Sequence, residues 1–340
     1  MFEKLWKKII RRRRFSLYLF PAILLWIASI FYRLAFKLNL RSKKVTAKTE
    51  TPLVSIGNIT VGGTGKTPIV ACIAQYLETD GFDIGIVSSG YGRKSEESIV
   101  LPGYKIAQLD ASKVGDEVSH LAELLPNVIF SVAPKKSEAA INLEKEENVD
   151  VILVDDGYQH FELHRDLNIV TFDAGVKSKY LKPFPYGLMR ESFAGLSRAD
   201  IIIITRSDFA GDLANLIEQL SQYNPTADIY HARFAATEII GKEQSYPVKY
   251  LQDKSVFLFA GIGNFKMLRK QVSTLCAQLD YAMELSDHQE YTKKLLKRIK
   301  QLADKEESDL ILTTGKDIVK LGDFDFQREI YYLNQEIDLD

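Results

Sequence analysis

The sequence predicts an α/β fold: a parallel sheet with helices on both faces, a second, smaller α/β unit after it, and a membrane-associated helix before it. Three observations carry this. Short apolar runs recur at residues 53–56, 84–87, 127–132, 151–154, 167–171 and 201–205, with helix-like stretches at 67–79, 117–125, 136–146 and 210–223 between them. The runs are apolar throughout rather than alternating, which is the habit of parallel strands covered on both faces. The first run also ends in a glycine-rich turn that opens the first helix.

The N-terminal segment comes first. The chain of 340 residues carries a net charge of −1, but residues 1–48 hold thirteen Lys or Arg against the single acid Glu3, a net of +12 that leaves −13 for the remainder. A basic arm on an acidic body implies an anionic partner for the arm alone. Residues 15–32 contain no charge and are mostly Phe, Leu, Ile, Ala, Tyr and Trp. That is the short end of what crosses a bilayer. It favours membrane lipid over nucleic acid as the partner, because a nucleic-acid-binding arm leaves the apolar stretch unexplained. Trp6 and Trp26 suit the interfacial belt and the flanking Lys and Arg suit anionic headgroups. Basic residues lie on both flanks, so charge does not orient the helix, and spanning and lying in the interface both stay open. A cleavable signal peptide is disfavoured, since Arg33, Lys37 and Arg41 follow instead of small residues. The alternative is an amphipathic helix buried in the core.

The whole chain has 46% hydrophobic and 26% charged residues, as globular chains do, and length enough for two cores. Its two cysteines, Cys72 and Cys276, lie far apart without metal-binding spacing, so neither a zinc site nor a disulfide framework is implied. The strand and helix pattern loosens over 206–254. It resumes with a strand at 256–260, a helix from 265 to about 279, a charged helix at 292–305 and a strand at 310–313. The expected units are 1–44 (arm and helix), 45–205 (first α/β unit) and 206–340 (second).

The glycine-rich turn carries the chemistry. Gly62, Gly63, Thr64, Gly65, Lys66 and Thr67 stand between a strand and a helix, the context of a phosphate-binding P-loop. Glycines let backbone N–H groups turn to phosphate oxygens, and the helix adds its positive end. Lys66 reaches the β- and γ-phosphates of ATP, and the Thr67 hydroxyl ligates Mg²⁺. The position five residues before Gly65 is Thr60 where the usual pattern has Gly. A second strand, 151–154, ends in Asp155 and Asp156, which is how a P-loop enzyme brings carboxylates to its metal. The fold is therefore P-loop NTPase-like.

Several further motifs follow in order: Gly90-Tyr91-Gly92-Arg93, Val114-Gly115-Asp116-Glu117, Asp155-Asp156-Gly157-Tyr158-Gln159-His160, Pro185-Tyr186-Gly187-Leu188-Met189-Arg190-Glu191, Ala260-Gly261-Ile262-Gly263-Asn264, Asp287-His288 and Thr313-Thr314-Gly315-Lys316-Asp317. Singly weak, they are specific in their joint order. In these, and in residues 55–68, the chain resembles the tetraacyldisaccharide 4′-kinases of lipid A assembly from about residue 15 to about 320. The resemblance implies one N-terminal membrane helix and two α/β domains with ATP between them. It also implies transfer of the γ-phosphate to a tetraacylated glucosamine disaccharide 1-phosphate, on the cytoplasmic face of the bacterial inner membrane. It makes Asp116 the catalytic base with His288 as its partner. It puts Asp155 and Asp156 on Mg²⁺ directly or through water, Gln159 and His160 near them, and Tyr91, Arg93, Glu117 and Lys136 on the glycolipid. Alone, Asp116 reads as a helix N-cap and His288 as a surface loop histidine.

The chain departs from the family at three places, with Ser89 and Lys136 where the family usually has Arg, and Gly315 where it usually has Glu. Lysine is not an equal bidentate partner for phosphate. Two other P-loop readings compete. A membrane-recruited ATPase switch of the partitioning type carries a signature Lys where this chain has Val61. A GTPase needs an Asn-Lys start to its base-reading loop, which Thr205-Arg206-Ser207-Asp208 lacks.

Overall fold

A computed structural model describes residues 2–10, 18–286 and 289–340. The strands are β1 (Leu53–Asn58), β2 (Ile84–Ser88), β3 (Ile99–Pro102), β4 (Ile129–Val132), β5 (Val151–Asp155), β6 (Leu167–Asp173), β7 (Ile201–Thr205), β8 (Asp228–Ile240), β9 (Ser245–Pro247), β10 (Ser255–Ala260), β11 (Gln278–Glu284), β12 (Leu310–Thr314) and β13 (Ile330–Leu339). Among the described residues they form one sheet in the order β11-β10-β12-β13-β8-β7-β6-β1-β5-β2-β4-β3, with β9 beside β8. All pairings are parallel except β3 with β4, β8 with β9, and β8 with β13.

Alternate residues of β10 show why helices cover both faces. Val256, Leu258 and Ala260 pack with Phe265, Leu268 and Val272 of the helix Phe265–Leu275. Phe257 and Phe259 pack the other way, against Leu296, Ile299 and Ala303 of the helix Lys293–Glu306. The first half of the sheet repeats the arrangement. Ile56, Ile86 and Phe130 meet the helices Lys66–Thr79 and Asp116–Leu124 on one face, while Val87, Ile152 and Val154 meet Lys136–Glu146 on the other. Each fully buried side chain of this size is worth about 1.5–3 kcal/mol, so both faces hold the sheet.

The stretch 206–254, expected to be loose, contains the longest strand. β8 pairs in parallel with β7 through Asp228–Ala232 and antiparallel with β13 through Ala232–Ile240. It thereby joins the two halves of the sheet edge to edge. The helix expected to run to about 279 ends at Leu275, and β11 starts at Gln278 as a parallel neighbour of β10.

The N-terminal helix Leu19–Ser42 has 24 residues and is about 36 Å long at 1.5 Å per residue. It continues through Arg33, Lys37 and Arg41, so its apolar part lies towards its start. Only 11% of its most apolar stretch is buried, which excludes the buried core helix. Phe20, Leu24, Trp26, Phe31, Leu34 and Leu38 are exposed. Trp6 departs from its expected place in the interfacial belt. It is 7% exposed, its indole N–H donates to the Pro185 carbonyl at 2.6 Å, and its ring lies 5.7 Å from that of Phe184. The indole donor is satisfied by a carbonyl of the body. Tyr32 and Phe36 reach the same side of the body, through Phe184 at 5.3 Å and Phe161 at 6.2 Å.

Candidate active site

β1 lies between β5 and β6, so three parallel strands bring their C-terminal ends to one edge of the sheet, the side where open α/β sheets bind ligands. The chain leaves β1 at Asn58 and enters the helix Lys66–Thr79 through Gly65. Gly62 (φ +117°) and Gly65 (φ +81°) hold conformations that side chains rarely adopt, and a Cβ on Gly65 would sit 2.6 Å from the Phe234 ring. The loop is braced from below. The Thr64 hydroxyl accepts from Asn58 Nδ2 at 2.9 Å and pairs with the Thr171 hydroxyl at 2.8 Å, while Thr205 Oγ1 donates to the Thr64 carbonyl at 2.7 Å. Thr64 is thus turned into the core, and only its backbone faces a ligand. Arg206 adds the last brace, donating to the Gly63 carbonyl at 3.0 Å and to Asp173 at 2.7 Å. Sequence reasoning set Arg206 in a failed base-reading motif. Its partners lie far back in the chain, so no local pattern announced this role.

The loop opens on a cavity of about 1400 Å³. Lys66 lies 3.4 Å from Asp156, and Arg190 donates to both Asp156 oxygens at 3.0 Å. Burial alone would raise the Asp156 pKa, but Lys66, Arg190 and Lys136 outweigh it and hold the carboxyl far below the usual range. Lys136 is 3% exposed, with its ammonium on the Asp156 carbonyl at 2.7 Å. Burial pulls its pKa down, against the pull of Asp156 and Asp155. Asp155 is the contrasting neighbour. Burial first, then Glu117, pushes it up to about 6, and its Oδ1 is buried with no hydrogen-bond partner.

That orphaned oxygen fits a cation. Among the described residues no three His, Cys, Asp or Glu side chains make a ready cage. Mg²⁺ seldom needs one, since it is held by one or two carboxylates together with phosphates and water. Asp155 and Thr67 both line the cavity. Asp156 is already committed to two cations.

The remaining expected residues divide. Tyr91, Glu117, Lys136 and Ser89 line the cavity. Asp116 does not. It is 9% exposed and its Oδ2 lies 2.6 Å from the Lys320 ammonium. Nor is it an N-cap: Gly115 (φ +94°) holds that position and Asp116 is the first helical residue. Glu117 is joined to Lys316 at 3.1 Å. Arg93 donates to the Glu97 carbonyl at 2.7 Å, within its own loop. Gln159 buttresses the site from behind, donating to the Asn58 carbonyl at 2.7 Å and to Glu191 at 2.8 Å. His160 lies 3.5 Å from Glu162, and burial followed by Lys136 lowers its pKa. His288 lies outside the described residues. The departure at Gly315 has a local cause: a Cβ there would sit 2.1 Å from Cε1 of His120, whose ring fills the space.

Comparison with known proteins gives the family. The family model described as tetraacyldisaccharide-1-P 4′-kinase matches residues 21–340. A tetraacyldisaccharide 4′-kinase of Halothermothrix orenii is 32% identical over 337 residues, covering 90% of this chain and 84% of its own. The protein of the same name from Geobacter metallireducens is 33% identical over 309 residues, covering 88% of each. The crystal structure of LpxK from Aquifex aeolicus in complex with ATP matches with a TM-score of 0.73 at 24% identity, over 94% of this chain and 95% of that one. At that identity the likeness speaks for the fold.

Proposed function

The chain belongs to the tetraacyldisaccharide-1-P 4′-kinase family, and on that premise we propose how its cleft transfers phosphate. It is an ATP-dependent kinase of lipid A biosynthesis, whose acceptor is the 4′-hydroxyl of a tetraacylated glucosamine disaccharide 1-phosphate. The observation that carries the site assignment is Lys66, at the start of the P-loop helix, facing Asp156 just after β5. Backbone N–H groups of residues 62–67 cradle the phosphates, and Lys66 passes from Asp156 to the β- and γ-phosphates. Thr67 and Asp155 would hold Mg²⁺, which would supply neutralisation of phosphate charge. Arg190 and Lys136 keep the Asp156 side of the cleft positive while Lys66 is engaged. Tyr91, Lys136 and Glu117 face the acceptor, with Arg93, Gln159 and His160 supporting from behind.

The acceptor oxygen forms its bond to the γ-phosphorus as the bridging oxygen to the β-phosphate leaves, and the hydroxyl proton goes to Asp116. His288 is its implied partner. Glu117 is a second reading for the base, favoured by its place on the cavity wall where Asp116 is withdrawn. Residues 45–205 and 206–340 act as two units that close on ATP, and the helix Leu19–Ser42 holds both to the cytoplasmic face of the inner membrane.

Transfer of labelled γ-phosphate from Mg-ATP to the disaccharide 1-phosphate, in detergent micelles, tests this. Transfer is expected in the native protein and absent in Lys66→Ala. Asp116→Asn is expected to lower kcat by roughly 10²–10⁴-fold, the range of a general base, and Glu117→Gln by far less. The reverse order would move the base to Glu117. ATP hydrolysis without transfer to any glycolipid would favour the membrane-recruited switch.

A further inference from the structure

We propose that Lys320 is the positioning residue for Asp116, and that it acts through a buried Asp116–Lys320–Asp317 triad joining the two halves of the sheet. The inference rests on the reading of Asp116 as proton acceptor. Lys320 follows β12 and the short helix Gly315–Ile318. Its ammonium lies 2.6 Å from Asp116 Oδ2 and 3.9 Å from Asp317 Oδ1, and the three side chains are 11%, 10% and 0% exposed.

Asp317 is itself pinned. Its Oδ2 accepts from the Gly261 N–H at 2.9 Å and from the Thr314 hydroxyl at 2.7 Å, at the ends of β10 and β12. One end of the triad is therefore anchored in the second half of the sheet. The other end is the first residue of the helix Asp116–Leu124 in the first half. A buried carboxylate is costly unless a cation is placed beside it, and both carboxylates of the triad lie within 4 Å of one ammonium. Lys320 is that cation. It lines no part of the cavity, whereas Lys316, one turn earlier, does so while paired to Glu117. Lys320 thus has no ligand to hold, and its effect passes through Asp116.

The test uses the full-length enzyme in detergent micelles with Mg-ATP and the tetraacylated disaccharide 1-phosphate. Lys320→Gln is expected to lower kcat about tenfold or more while KM for ATP stays within about twofold, because the P-loop is untouched. Lys320→Arg is expected to recover most of the loss. In an Asp116→Asn background, adding Lys320→Gln should change kcat by less than about twofold, as for groups that act as a unit. Native kcat per folded molecule in Lys320→Gln would overturn the proposal, as would the same loss factor in both backgrounds. Should Lys320→Gln not fold, the double variant Lys320→Gln, Asp317→Asn, which removes two buried charges together, takes its place in the cycle. A normal Lys320→Gln beside an inactive Asp116→Asn sinks this proposal alone. Full turnover in Asp116→Asn sinks the reading of the base.

Discussion

Asp155 and Asp156 are neighbours in sequence and opposites in electrostatics. Asp156 turns out at φ +52° to meet Lys66 and Arg190, while Asp155 stays under the strand end with one oxygen unpartnered. The pKa of Asp155 in the folded, ligand-free protein is raised to about 6 by burial and Glu117. A raised carboxyl pKa means that stability present below the unfolded value, about 3.9, is lost as pH rises through 6. At pH 7 the ionised, unliganded Asp155 costs on the order of 3 kcal/mol. Asp155→Asn should therefore raise the melting temperature of the ligand-free protein at pH 7 and leave it unchanged near pH 4, while weakening Mg²⁺-dependent ATP binding. Equal melting temperatures at pH 7, by calorimetry, would contradict the burial argument. For Asp156 the sign is reversed. Its cations stabilise the fold above the unfolded pKa, and that contribution fades as pH falls.

At the scale of elements, the P-loop depends on strands that do not touch it in sequence. Its carbonyls are held by Thr205 at the end of β7 and by Arg206 just after it, and Arg206 in turn neutralises Asp173 at the end of β6. Arg206 also lies over the Phe234 ring of β8 at 5.5 Å, and Phe234 closes on Gly65. Replacing Arg206 by Met would keep the apolar stem and strand Asp173, which is 5% exposed, without its cation. Breaking such a pair is expected to cost about 3 kcal/mol, the low end for a buried pair because Arg206 is 19% exposed, and the unbraced Gly63 should weaken ATP binding. Titration of an ATP analogue, beside a thermal melt, reads both. Unchanged affinity would show that the loop keeps its shape without the guanidinium.

The whole molecule sets an acidic body beside an exposed apolar helix, and the two are joined by specific contacts as well as by the chain. Lys43 pairs with Glu162 at 3.0 Å, Trp6 bonds Pro185, and Tyr32 and Phe36 pack on Phe184 and Phe161. Trp6 and Ile10 line the same cavity as the P-loop, so the N-terminal segment and the phosphate site share a wall. Ile27 and Phe31 are exposed on one side of the helix. Changing both to Asp adds about 3 kcal/mol each to the cost of a bilayer position. If the helix attaches the chain to membranes as proposed, the native chain is expected to pellet with them and most of the doubly substituted full-length protein to appear in the soluble fraction of a detergent-free lysate. Undiminished pelleting would mean that another surface carries the attachment.

Residue order alone determined the parallel core of the sheet, the P-loop, the acidic strand end and the apolar N-terminal helix. Each is a local pattern whose period or spacing is written within about fifteen residues: the glycines at 62, 63 and 65 beside Lys66, or the apolar run before Asp155 and Asp156. The tertiary structure decided what those patterns meet. It turned Thr64 into the core, withdrew Asp116 to Lys320, gave Glu117 to Lys316, filled the place of a side chain at Gly315 with His120, and took Trp6 from the lipid surface. It also revealed β8, whose partly exposed faces blurred the pattern over 206–254. Ion pairs and edge contacts of this kind join residues more than two hundred positions apart, as Lys320 and Asp116 are. A charged or polar side chain carries no mark of its partner in its neighbours, whereas strand and helix periodicity is set by the backbone itself.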